Sequence, residues 1–432
     1  MKLNFAFGKT GIDVSIPDEY ECIVLENRSV TPVPDASLAL ADALDHPFGS
    51  PSLTEMAAGK QRVAIVVCDI TRPAPNALTL PPLLDRLHRA GVKKDGITIL
   101  IATGLHRVAT AEEVEQIVGM DIAQNYRIIS NDARAEGQHR NLGTTSRGTP
   151  VLIHEEFVQA DLCITLGFIE QHFMAGFSGG RKLVAPGVAA EKTIKAIHSP
   201  KFMRDLRACE GIMLDNPLHS ELLEIAQMAK HGFMLDVTLT RNRQISGVFA
   251  GDPVIAHAEG VRFLEEACLI RTEELADLVV TSAAGFPLDL TFYKTIKAIT
   301  AAQQVVKSGG RILVISECAE GVGSSEFAAT LRGMQSFDKF LEETASSPVQ
   351  VDQWQLEKLA QAGLRNEIFY LVPGVSHPEL GFLGCSAYRT LDQALEAATA
   401  GLLCGARVYL IPDGPYTFAR FCGVPVKKAG VG

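Results

Sequence analysis

The stretch VAIVVCDITRP, residues 63–73, decides how this chain is read. Val63 to Cys68 are apolar without alternation, the pattern of a strand buried on both faces, and Asp69, Thr71, Arg72 and Pro73 follow at once. The pattern recurs. ITILIATGLHR (97–107) ends in His106 and Arg107, LCITLG (162–167) leads to Gln171 and His172, and LVVTSAAGFP (278–287) leads to Tyr293, Lys294 and Lys297. Further strand-like runs stand at Ile312–Ile315, Ile368–Val372 and Val408–Ile411, and segments of helical spacing stand at Pro82–Ala90, Ala111–Val118, Lys294–Val306 and Leu391–Ala400. Strands alternating with helices make βαβ units, so the expected class is α/β with mostly parallel sheets. Open parallel sheets bind ligands at the carboxyl ends of their strands, where these polar residues gather.

A chain of 432 residues is too long for one core, and two domains are expected. The boundary falls near residue 270, where the helical stretch His257–Ala267 gives way to RTEELADLVVTSAAGFP. Residues 1–270 are then an N-terminal catalytic and cofactor-binding domain. Residues 271–432 form a C-terminal α/β domain that contributes substrate-binding residues, with the active site in the interdomain cleft. Whether the last segment, from Pro415, returns to the first domain stays open. No repeat or low-complexity tract interrupts the pattern, apart from an expendable-looking tail, KKAGVG.

Hydrophobic residues at 47% and charged residues at 21% fit a globular protein. A net charge of −10 without a basic stripe argues against nucleic acid as a partner. No apolar run is long enough for a membrane span or shaped as a signal peptide, so the expected location is cytoplasmic. The nine cysteines are scattered, with no C-x-x-C pair, and read as inert reduced core thiols.

The richest segment is GFIEQHFMAGFSGGRKLVAPGVAAEKTIKAIHSP (167–200). Gly176, Gly179 and Gly180 let backbone N–H groups approach a phosphate, and Arg181 and Lys182 add positive charge, so an anionic cofactor or substrate is the natural occupant. The spacing matches neither a P-loop nor the dinucleotide G-x-G-x-x-G, which argues against an ordinary NAD-dependent dehydrogenase. His106, His172 and His198 each sit beside a strand end, a glycine turn or a helix end. They could meet as metal ligands or as proton carriers near neutral pH. His46, His88, His139 and His231 take a structural reading.

Asp69-Ile-Thr71-Arg72-Pro73, Gly104-Leu-His106-Arg107, His172 followed by Gly176-Phe-Ser178-Gly179-Gly180-Arg181-Lys182, His198, and Tyr293 followed by Lys297 occur in this order along nearly the whole chain. Together they resemble the nickel-dependent lactate racemase family. The resemblance implies a racemase or epimerase that inverts C2 of a 2-hydroxy acid by reversible hydride transfer to a nickel-pincer nucleotide. In that reading Lys182 carries the cofactor covalently, His198 is the nickel ligand, and His106 and His172 are the acid/base pair. Ser178, Gly179, Gly180, Asp69 and Thr71 line the cofactor, while Arg72, Tyr293, Lys294 and Lys297 hold the substrate. Enzymes that make the cofactor are the implied protein partners.

The chain departs from the lactate-using pattern at Lys294, where glutamine follows the tyrosine, and at Val108, where proline often follows His-Arg. An extra cation at 294 points to a larger or more anionic 2-hydroxy acid, against the bland reading of a solvent-facing helix lysine. The alternatives are a sugar-acid C2 epimerase on the same cofactor and a non-catalytic nucleotide or nickel carrier. A pure carrier, however, has no need of two histidines.

Overall fold

The computed structural model describes residues 1–28 and 30–423, so the KKAGVG tail lies outside the described residues. The chain divides into two compact units, Ser29–Ala267 and Met1–Arg28 together with Cys268–Gly432.

The Ser29–Ala267 unit is built on a six-stranded sheet. Its order is Ile245–Gly251, His231–Leu239, Leu162–Phe168, Val63–Cys68, Ile97–Ala102 and Arg127–Ser130. Every neighbouring pair is parallel except His231–Leu239 with Ile245–Gly251. All residues of Val63–Cys68 and Leu162–Phe168 are buried, as their unalternating apolar runs require when helices cover both faces. The register aligns Val63 with Ile97 and with Leu162, and Cys68 with Ala102. Strands of similar length in that register end together, so Asp69, Thr103 and the segment after Phe168 leave the sheet at one edge.

The second unit has a wholly parallel sheet in the order Ala387–Tyr388, Glu367–Leu371, Val306–Ile315, Ala276–Ser282, Arg407–Ile411 and Glu21–Val24. Alternate residues serve its two faces. Val279, Ile312 and Val314 pack with Phe292, Ile296, Leu356 and Leu359 of helices Phe292–Ala302 and Gln353–Arg365. Leu278, Val280, Leu313 and Leu410 pack with Ala394 and Ala398. The helix expected over Lys294–Val306 stops at Ala302, and β-branched Val306 opens the next strand.

Two assignments follow from packing rather than from sequence order. The expectation placed residues 1–270 in one domain, but Met1–Arg28 belong to the second unit. Phe5, Val14 and Ile16 fill the face occupied by Leu278 and Leu410, and Glu21–Val24 forms the edge strand beside Arg407–Ile411. Arg407 Nε and Nη2 both donate to Glu21 Oε2, at 3.0 and 2.9 Å, and tie that edge. The last described segment stays in the second unit, where Ala419–Phe421 pairs with Ile270–Thr272. Among the described residues no helix is long and apolar enough to cross a membrane.

All nine cysteines are free thiols. Only Cys68, Cys163, Cys268 and Cys318 are buried, whereas Cys385, Cys404 and Cys422 are exposed, so the expectation of uniformly buried thiols holds for four of them. Burial pushes the thiol of Cys163 up to about 12 and that of Cys318 up to about 11, which leaves almost no thiolate at neutral pH. Alkylation of native protein at pH 8, read by peptide mass mapping, is expected to label Cys385, Cys404 and Cys422 first. The four buried thiols should react only after denaturant is added; early labelling of Cys163 would contradict the packing.

Candidate active site

The carboxyl edge of the Ser29–Ala267 sheet carries the polar cluster. Asp69 follows the Val63 strand directly and is 6% exposed. Its Oδ1 accepts from Thr71 Oγ1 at 2.7 Å, and its Oδ2 lies 2.7 Å from His106 Nδ1. Burial opposes the Asp69 charge, but the hydrogen bonds from His106 and Thr71 and the nearby positive charges outweigh it and hold the carboxyl below its usual range. An ionised Asp69 can only accept, so the neutral His106 ring carries its proton on Nδ1 and leaves Nε2 with a free lone pair. Arg72 is anchored through its backbone N–H to Asp69 O at 3.1 Å. Among the described residues no hydrogen bond reaches its guanidinium.

The next strand of the sheet delivers the second group. After Leu162–Phe168 the chain forms a small hairpin, Gln171–His172 against Gly176–Phe177. There His172 Nδ1 accepts the backbone N–H groups of Met174 and Ala175, at 3.3 and 3.1 Å. Its Nε2 stands 2.8 Å from Lys182 Nζ, and an N–H at that position requires the lysine to be uncharged, because an ammonium has no lone pair to accept it. The two histidines are thus oriented by different partners, His106 by a carboxylate and His172 by two backbone N–H groups.

Lys182 is held by the turn Ser178–Leu183, and that turn rests on a residue the sequence did not single out. Asp236, in the middle of the His231–Leu239 strand and wholly buried, accepts the Gly180 N–H at 2.7 Å. Gly179 sits at φ +86°, and a Cβ there would lie 2.3 Å from Asp236 Oδ2, so the site demands glycine on both steric and conformational grounds. Burial raises the Asp236 carboxyl to about 7 against the opposing hydrogen bonds. A lone acid inside the apolar run GFMLDVTL was the available signal.

Arg181 departs from its expected part. It is 1% exposed and donates to the carbonyls of Ala175, Phe177 and Gly179, so its charge braces the loop instead of facing a ligand. Ser178 Oγ is likewise engaged within the loop, accepting from Glu170 N and donating to Phe168 O.

His198 closes helix Glu191–Ile197, and its Nδ1 lies 2.8 Å from the Ile194 carbonyl. A carbonyl can only accept, so Nδ1 bears the proton and the lone pair is on Nε2, which is the tautomer a metal-ligating imidazole needs. Burial, helped by the Lys182 charge and resisted by the Ile194 carbonyl, pushes His198 down to about 4 and keeps it neutral. Among the described residues no cluster of three or more His, Cys, Asp or Glu side chains is placed to hold a metal ion.

Tyr293, Lys294 and Lys297 lie in the other unit, on helix Phe292–Ala302. Tyr293 packs edge-on to Phe327 with ring centroids 5.1 Å apart. Lys294 Nζ donates to Pro287 O at 3.0 Å, so it is tied to the loop after strand Ala276–Ser282.

The lactate racemase N-terminal domain model matches residues 7–211, and the lactate racemase C-terminal domain model matches residues 271–417. The lactate racemase of Thermoanaerobacterium thermosaccharolyticum is 30% identical over 97% of this chain and 99% of its own length. That of Lactiplantibacillus plantarum is 35% identical over 86% of this chain and 88% of its own. The chain belongs to the lactate racemase family. It is accordingly an isomerase of the racemase type. The structure of the lactate racemase apoprotein from Thermoanaerobacterium thermosaccharolyticum superposes with a TM-score of 0.89 at 29% identity, covering 97% of this chain and all of that one. A Thermotoga maritima protein shares the fold at a TM-score of 0.66 and 15% identity, covering 90% of this chain and all of that one.

Burial also holds the imidazoles of His154 and His231 down to about 4 and that of His219 down to about 3. The unfolded chain protonates these rings near pH 6.5, while the folded chain refuses the proton until about pH 4 or below. Stability is therefore lost as pH falls through that window. The raised Asp236 carboxyl acts in the opposite direction, but it is one group against these three and His198. Urea denaturation followed by circular dichroism is expected to give a lower midpoint at pH 5 than at pH 7.5; a higher midpoint at pH 5 would mean the rings are solvated.

Proposed function

We propose that this chain interconverts the enantiomers of a 2-hydroxy acid, with His106 and His172 as its acid/base groups and a nickel-pincer nucleotide held by Lys182 and His198. The single observation that supports the reading is a pair of imidazoles at the ends of sheet strands, each fixed by its own partners. Asp69 holds His106 through Nδ1, and the backbone N–H groups of Met174 and Ala175 hold His172 through Nδ1. A racemase must take a hydroxyl proton from one enantiomer and return one to the other, and two positioned imidazoles can divide that work.

The residues toward the cofactor fit the group. The Lys182 amine is presented by a rigid glycine turn braced by Asp236 and Arg181, and His198 is a neutral imidazole whose Nε2 lone pair suits nickel. The bound nucleotide would supply the hydride acceptor that the weakly acidic C2–H of a hydroxy acid requires. Gly179, Gly180, Ser178, Asp69 and Thr71 belong to the same proposal as its surroundings. The Arg72 guanidinium, free of hydrogen bonds among the described residues, is shaped to hold the substrate carboxylate through two parallel hydrogen bonds. Tyr293, Lys294 and Lys297 are proposed as further substrate contacts. Lactate, named in both relatives, is the first substrate to try.

Protein made together with the cofactor-making enzymes should carry an added mass on Lys182 and contain nickel. It should convert either enantiomer of a 2-hydroxy acid to the racemate, measured by chiral chromatography. Lys182→Ala should lose both adduct and activity. His106→Gln should keep the adduct and lose about 10²–10⁴ in rate. An unmodified Lys182 in active protein, or a His106→Gln variant within threefold of wild type, would sink the proposal.

A further inference from the structure

Two arginines stand at the strand ends of the Ser29–Ala267 unit, and they differ in one respect. Arg72 has an unengaged guanidinium among the described residues. The Arg107 guanidinium is gripped on both prongs: Nη1 donates to Glu113 Oε2 at 2.7 Å and Nη2 to Glu113 Oε1 at 2.6 Å. This fork-on-fork geometry is the one an arginine uses on a substrate carboxylate, and here an internal carboxylate already fills it.

The pair borders the chemistry. Arg107, Ala109 and Glu113 line a cavity of about 70 Å³ together with Asp69, Ile70, Thr71 and His106. A space of that size takes only a few non-hydrogen atoms. An acid whose hydroxyl meets His106 would share that space with the wall that Arg107 and Glu113 form. Glu113 does not swing freely. Its Oε2 also accepts the Thr110 backbone N–H at 2.9 Å, and its own N–H donates to Thr110 Oγ1 at 3.3 Å, which closes a capping box at the start of helix Ala111–Val118. The helix cap therefore holds the carboxylate on the arginine.

We propose that Glu113, by occupying Arg107, is a specificity-determining residue that restricts the site to 2-hydroxy acids with small uncharged substituents and excludes those with a second carboxylate. The inference rests on the racemase reading and names the substrate class of that same site. It runs against the expectation drawn from Lys294, whose ammonium is tied to Pro287. A second carboxylate arriving at this wall meets Glu113 instead of a free guanidinium, and like charges brought together cost affinity. Removing the Glu113 charge while keeping its shape should convert the wall into a second carboxylate clamp.

Glu113→Gln is the informative variant, because glutamine also closes a capping box and so preserves the helix start. Wild type, Glu113→Gln and Glu113→Gln with Arg107→Met are compared on lactate and 2-hydroxybutyrate against malate and 2-hydroxyglutarate. Glu113→Gln should raise kcat/KM for the two dicarboxylates about tenfold, mainly through KM, and leave lactate within twofold. The double variant should lose that gain. Calorimetric binding of malate and lactate to protein without cofactor gives a second readout and should show the same selective gain. Equal changes for both acid classes, no change for either, or a gain that survives Arg107→Met would overturn the assignment. Protein that carries the Lys182 adduct but inverts none of these acids refutes the racemase reading instead, and the binding comparison then decides the role of the pair.

Discussion

The parallel pairing of Val63–Cys68 with Ile97–Ala102 on one side and Leu162–Phe168 on the other is the constraint on which the site depends. Each strand is buried on both faces, so a slip of one residue would gain nothing in hydrophobic contact and would break the ladder. With the register fixed, the strands end level, and three separate polar segments emerge at one edge. No interaction among Asp69, His106 and His172 has to bring them to that edge, because the sheet has already done so.

What the sheet cannot supply is the fine setting of each ring, and local hydrogen bonds provide it. The carboxylate of Asp69 and the carbonyl of Ile194 each require a donor from the imidazole they face, while the backbone N–H groups of Met174 and Ala175 require an acceptor. Three histidines on one unit are thereby each oriented by a fixed local partner. Charge is managed the same way: Arg181 directs its donors to loop carbonyls and Arg107 to Glu113, whereas no hydrogen bond reaches the Arg72 guanidinium among the described residues.

Asp236 illustrates the cost of such a site. A wholly buried carboxyl is unfavourable when ionised, and this one is held up to about 7. Its acceptance of the Gly180 N–H satisfies a buried donor under the turn that presents Lys182, so a residue poor for stability is placed where the turn needs it. Gly179 lies at positive φ, and a Cβ there would stand 2.3 Å from Asp236 Oδ2.

Legible in the sequence were the α/β class, the central strands Val63–Cys68, Ile97–Ala102 and Leu162–Phe168, and the candidate residues of the lactate racemase motifs, but not the strands Arg127–Ser130, His231–Leu239 and Ile245–Gly251 of the same sheet. Those signals are local: apolar runs, glycine turns and polar residues that follow strands can be read in a window of ten or so positions. Tertiary structure alone decided which unit receives Met1–Arg28, that Arg181 braces a loop, that Asp236 supports Gly180 across 56 residues of chain, and that Glu113 closes on Arg107. The physical reason is that burial, tautomer and charge pairing are set by neighbours in space, and those neighbours come from segments whose own local patterns say nothing of one another.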